Sequence, residues 1–158
     1  NTVTAALAAS VIHGFEGEIA KLVTLAVLMP IVASLGGNAG TQALAVAVRA
    51  LASKELSEVN AYRTVFREMA VGLANGAALA AVTGLVVFFL FKDARLSITF
   101  GLALMINLFV ASLAGVLAPL TLEKMGRDPA VSSSVFVTFA TDFTGFFAFL
   151  GLAALILL

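Results

Sequence analysis

The chain has 158 residues, 61% of them hydrophobic and 11% charged, with nine basic and nine acidic side chains and a net charge of zero. Soluble domains average ~45–50% apolar and ~25% charged residues; a chain this poor in charge cannot cover a water-facing surface, whereas a bilayer removes that requirement. The balanced charge leaves no basic stripe for nucleic acid, the lack of cysteine excludes disulfides and thiolate chemistry, and a single histidine, His13, excludes a His-rich zinc site within one chain.

Residues 2–12 open the chain as an apolar helix, with neither a methionine nor a basic leader ahead of it. At ~1.5 Å per residue that stretch is too short for ~30 Å of hydrocarbon, so the expectation is a segment cut inside its first membrane helix. HGFEGEIAK follows, with Glu16 and Glu18 in a polar turn. Four longer apolar spans come next, over about 22–51, 69–91, 98–122 and 131–158, each long enough to cross with some tilt. The fold class is therefore all-α, a polytopic membrane bundle of five helices whose first is truncated, and residues 1–158 form one domain.

The connections hold the charge. Arg49, Lys54, Arg63, Arg67, Lys124 and Arg127 fall on one side of the membrane, and Lys21, Lys92 and Arg95 on the other. The richer side is cytoplasmic by the positive-inside rule, which puts the N-terminus inside and the C-terminus outside. Glu55, Glu58, Glu68, Glu123 and Asp128 lie in the cytoplasmic connections and read as solvated. Gly36 and Gly40, Gly72 and Gly76, and Ala111 and Gly115 have the spacing of close helix approach, which a chain rich in Ala and Gly also produces by chance.

The last span, SSSVFVTFATDFTGFFAFLG, is amphipathic within the membrane. At ~100° per residue, Ser134, Thr138, Thr141, Asp142 and Gly145 share one stripe, and Phe136, Phe139, Phe143 and Phe147 lie on the other side. A charged Asp at the bilayer centre costs at least ~2.5–3.5 kcal/mol, so such a residue faces a partner or a wet path. No Lys or Arg lies at its depth in the sequence, and Asp142 is read as marking a cation path.

The second span carries the other polar face, with Ser34, Asn38, Gln42, Ala45 and Arg49 in register. Pro30 cannot donate its backbone hydrogen bond and Gly36-Gly37 weaken the helix, so freed carbonyls are available either to a cation or within a kinked packing helix. Asn75 and Asn107, one each in the third and fourth spans, read as helix-to-helix hydrogen bonders. There is no His-Glu-x-x-His, Walker A loop or Gly-x-Ser-x-Gly elbow, and the serines at 132–134 have no histidine near them in sequence; the expectation is a protein that is not an enzyme.

PIVASLGGNAGTQALAVAVRALA (30–52) closely resembles the second membrane helix of the MgtE family of magnesium channels, with GGNAGTQ as its most specific part. HGFE (13–16), FREMAVGL (66–73) and TDFTG (141–145) resemble the end of that family's first helix, the start of its third and its fifth. The resemblance runs in order along essentially the whole chain. It implies a homodimer in the inner cell membrane whose second and fifth helices line a central pore. There Asp142 faces its two-fold mate and holds a largely hydrated Mg²⁺. Thr138 and Ser134 add oxygens in the turns below it; Thr141, Gly145, Asn38, Gln42, Gly36 and Gly37 line the path, and Glu16 stands at an outer vestibule. Mn²⁺, Co²⁺ and Ca²⁺ are the expected competitors. Cytoplasmic sensor domains, a helical N-terminal domain and paired CBS modules, belong to the full-length chain and lie outside this segment. Transport is then passive; the alternative is a proton- or sodium-coupled carrier that uses Asp142 as a shared site.

Overall fold

The computed structural model describes residues 2–56 and 60–158, and every element among them is a helix. Glu58 lies outside the described residues. The order is α1 (Thr2–Gly14), α2 (Glu16–Lys21), α3 (Val23–Ala52), α4 (Ala61–Phe91), α5 (Ala94–Lys124) and α6 (Pro129–Ile156). The last four are long and apolar enough to cross a membrane, and α1 is a shorter apolar helix. At 28 to 31 residues each, they run to ~42–46 Å, more than the ~30 Å of hydrocarbon, and so reach into the headgroup layers or tilt.

The ends of these helices are set by local chemistry. The Asp128 carboxylate accepts from Ala130 N at 2.9 Å, and Pro129 follows where its missing N–H costs nothing. The Asp93 carboxylate accepts from Arg95 N and Leu96 N at 2.9 and 3.1 Å and starts α5 in the same way. Lys92 ends α4 in the left-handed conformation. Apolarity alone placed the start of the third span at 69, yet α4 begins at Ala61. Hydropathy reports which residues can sit in lipid, whereas a helix continues for as long as its backbone bonds do, and Arg63, Arg67 and Glu68 are compatible with both helix and water.

The weakening expected at Gly36-Gly37 does not break the second span, and Pro30 has no N–H to donate to the Ala26 carbonyl. Helix α3 is continuous through Pro30 and Gly36-Gly37, and the break in the chain falls earlier, at Leu22 between α2 and α3. The carbonyls of Gly37 and Asn38 accept from Thr41 Oγ1 at 2.9 and 3.0 Å.

Helix α5 is the hub, packed against α3, α4 and α6, while α3 also packs on α6 and α1 lies along α6. Phe100, Leu104 and Leu108 of α5 meet Leu25, Leu28 and Val32 of α3 and Phe149 and Leu150 of α6 in the main apolar core. The Phe100 and Phe149 rings meet edge to face, centroids 5.9 Å apart. A second cluster, with Ala47, Leu51, Leu56, Val116 and Leu120, closes the opposite end of α3 and α5. Helix α4 leans on α5 and turns Val82, Leu85, Phe89 and Leu90 outward, as a lipid-facing helix does.

Small residues let the backbones meet. A Cβ on Gly40 would stand 2.6 Å from Val137 Cγ1, one on Gly72 2.6 Å from Ser112 Oγ, and one on Gly115 2.8 Å from the Gly40 carbonyl oxygen. The spacings read from sequence are thus real helix contacts in the pairs α3–α6, α4–α5 and α3–α5.

Candidate cation path on α3 and α6

Asp142 sits at the midpoint of α6 and is partly exposed. Among the described residues no Lys or Arg forms an ion pair with it. Its level in the bundle follows from its neighbours. Toward the N-terminus, Thr141, the residue before Asp142, and Val137, five residues before it, lie against Gly40; three residues toward the C-terminus, Gly145 shares Asn107 with Gly36. Asp142 therefore stands level with the Gly36–Gly40 stretch of α3, the centre of the GGNAG motif.

The stripe read from sequence divides in space. Ser134 and Thr138 are exposed and Asp142 is partly so. Thr141 is fully buried against α3, its hydroxyl donating to the Thr138 carbonyl at 3.0 Å. Gly145 is buried against Asn107 and Val32. Within one chain, then, Ser134, Thr138 and Asp142 face the open side, and Thr141 and Gly145 face packed neighbours. The phenylalanines form their own ladder: Phe139, Phe143 and Phe147 succeed one another at 5.6 and 6.2 Å, and Phe147 meets Phe15 at 6.2 Å, tying the junction of α1 and α2 to α6.

On α3 the polar face is open throughout: Ser34, Asn38, Gln42, Ala45 and Arg49 are all exposed. Gly36 points the other way, into the packing, and Gly37 is partly exposed. Asn38 and Gln42 look into a groove of about 760 Å³ between α3 and α4, floored by Leu108 and Ser112 of α5, with Arg67, Glu68 and Asn75 on its far wall. By apolarity alone Arg67 and Glu68 belong to a connection; the extra turns of α4 bring them to this groove. Asn75 lines it too and takes no helix-to-helix hydrogen bond among the described residues. Asn107 does act as a helix-to-helix donor, its Nδ2 donating to the Val32 carbonyl at 2.9 Å.

Glu16 lies at the start of α2, exposed and 3.2 Å from His13 Nδ1. Among the described residues no three His, Cys, Asp or Glu side chains gather into a direct metal cage. The chemistry on offer is one carboxylate with hydroxyl, amide and carbonyl oxygens, hard ligands suited to a hard cation or to its water shell.

Long apolar helices, an unpaired intramembrane carboxylate and a neighbouring helix with a continuous polar face define a polytopic membrane protein with the features of an ion transporter. A family profile, MgtE, described as a divalent cation transporter, matches residues 29–152. The chain is 36% identical over 147 residues to the magnesium transporter MgtE of Enterococcus faecalis, covering 93% of this chain and 32% of that protein. It is 32% identical over 154 residues to the magnesium transporter MgtE of Thermus thermophilus, covering 98% and 34%, and 30% identical over 147 residues to that of Bacillus subtilis, covering 93% and 33%. The chain belongs to the MgtE family of divalent cation transporters, whose members move ions across membranes and are not enzymes. It spans about a third of the length of these relatives.

Proposed function

We propose that this chain forms the ion-conducting membrane part of a magnesium transporter. In this reading two copies join in a homodimer around a central path, lined in each by the open faces of α3 and α6, and Asp142 is the selecting carboxylate. The observation that carries the reading is the placement of Asp142: partly exposed, without an ion-pair partner among the described residues, and level with the GGNAG stretch of α3. The naming of three bacterial relatives as magnesium transporters supports Mg²⁺ as the ion.

Mg²⁺ is small and gives up water reluctantly, so a path that binds its water shell avoids the dehydration penalty. Two carboxylates across a two-fold axis accept hydrogen bonds from those waters. The hydroxyls of Thr138 and Ser134, on the same open side, continue the polar lining. Selection then rests on charge and on the size of the hydrated ion. Transit is passive: moving a divalent cation inward across 100 mV releases roughly 4.6 kcal/mol, twice the single-charge value. The N-terminus is cytoplasmic and the C-terminus outside, and the sensor domains of the full-length chain sit on the cytoplasmic side.

Mg²⁺ flux into vesicles carrying Asp142→Asn or Asp142→Ala tests this. Both substitutions are expected to abolish uptake while leaving the protein folded, since Asp142 makes no hydrogen bond or ion pair among the described residues. Wild-type flux and selectivity in both would overturn the reading.

A further inference from the structure

Asn107 is fully buried at the middle of α5, where α3, α5 and α6 converge. Its Nδ2 donates to the Val32 carbonyl of α3 at 2.9 Å. A Cβ on Gly36 of α3 would overlap that same amide, and one on Gly145 of α6 would stand 2.7 Å from Nδ2. One side chain therefore occupies the seats left by two glycines on two different helices. Gly145 lies three residues beyond Asp142, ~4.5 Å along the helix axis, and Gly36 precedes Gly37 and Asn38. The amide thus grips α3 and α6 within a turn of the carboxylate.

We infer that Asn107 is a positioning residue for ion selection: it sets the separation of α3 and α6 at the level of Asp142, and so the size of the oxygen-lined opening that a hydrated cation meets. This rests on the reading of α3 and α6 as the path. A purely structural role does not account for the residue type. Asn107 Oδ1 is buried with no hydrogen-bond partner among the described residues, an arrangement that weakens a fold. Leucine has nearly the same branched shape, would fill the same seats and would bury no orphaned oxygen. The Val32 carbonyl lies inside α3 and keeps its own helix bond without the amide. What leucine lacks is a directional bond that fixes the register of α3 against α5, and through Gly145 that of α6. Supporting contacts of this kind commonly set how well a metal site fits its ion.

The test uses the full-length transporter in vesicles, with Mg²⁺ and Ca²⁺ uptake measured side by side for wild type, Asp142→Asn and Asn107→Leu. Asn107→Leu is expected to unfold at or above the wild-type temperature in detergent, to raise the half-saturating Mg²⁺ concentration about tenfold and to lose much of the preference for Mg²⁺ over Ca²⁺. Wild-type half-saturation and preference in Asn107→Leu, with Asp142→Asn inactive, overturns the role of Asn107 alone. Wild-type flux in Asp142→Asn overturns the path itself. If Asn107→Leu does not fold, the pair Asn107→Ala with Gly36→Ala, in which the added methyl enters the vacated seat, is read in the same way.

Discussion

Gly40 of α3 approaches α6 so closely that a Cβ there would stand 2.6 Å from Val137 Cγ1. The contact holds the GGNAG stretch against α6 five residues from Asp142. Gly40→Ala is expected to destabilise the bundle by about 1–3 kcal/mol, the usual range for overpacking. Val137→Ala in the same chain removes the obstructing methyls, and the pair is expected to recover most of the loss. Thermal unfolding in detergent for both single variants and the double variant checks this; strict additivity would contradict it.

Thr138 and Thr141 are one turn apart on α6, yet Thr138 faces the open side and Thr141 the packed one. Thr138→Val removes a hydroxyl from the proposed path, and a hydrogen bond of about 1 kcal/mol corresponds to roughly fivefold in half-saturating Mg²⁺. Thr141→Val removes a hydroxyl already bonded to its own helix at the Thr138 carbonyl and is expected to leave uptake near wild type. Equal effects of the two on uptake would argue against the division of the stripe.

Asp128, read from sequence as merely solvated, caps α6 through Ala130 N. Asp128→Ala is expected to cost about 1 kcal/mol of stability, while Asp128→Ser and Asp128→Asn retain most of it. Unfolding temperatures of the three variants in detergent rank them.

Orientation is accessible because the chain has no cysteine. Lys54 follows α3 and Lys92 follows α4, at opposite ends of the bundle, and both are exposed. In intact cells a membrane-impermeant thiol reagent is expected to label Lys92→Cys, and to reach Lys54→Cys only after permeabilisation. The reverse pattern would invert the topology.

Much of the fold was legible in the residues. The four long spans follow from apolar runs broken by charged connections, and the glycine spacings in α3 and α4 correspond to real crossings. The boundaries were less so: α4 starts eight residues ahead of its apolar run because Arg63, Arg67 and Glu68 continue a helix outside hydrocarbon. The caps were readable in principle. Asp128-Pro129 is a start signal in its own right, although an acidic residue in a connection also has the look of a solvated one. Hydrogen bonding of Asn107 between helices was expected from its isolation in an apolar span; its two glycine seats were not, since they lie 71 residues before it, at Gly36, and 38 after it, at Gly145.

By itself the sequence determined that this protein is a bundle of membrane-crossing helices, that it carries one isolated carboxylate in its last span, and which side chains share a helical face with it. Periodicity supplies those angles because an α-helix turns by a fixed amount per residue. Periodicity does not say which face meets a neighbour. That depends on where α3 and α5 lie against α6, and only the tertiary structure decided it: Thr141 and Gly145 turn inward, Ser134, Thr138 and Asp142 remain open, and Asn107 of α5 bonds α3 and packs on Gly145 of α6. The physical reason is steric. Helices approach where glycine leaves room, and that approach assigns each residue of the stripe to packing or to the open side.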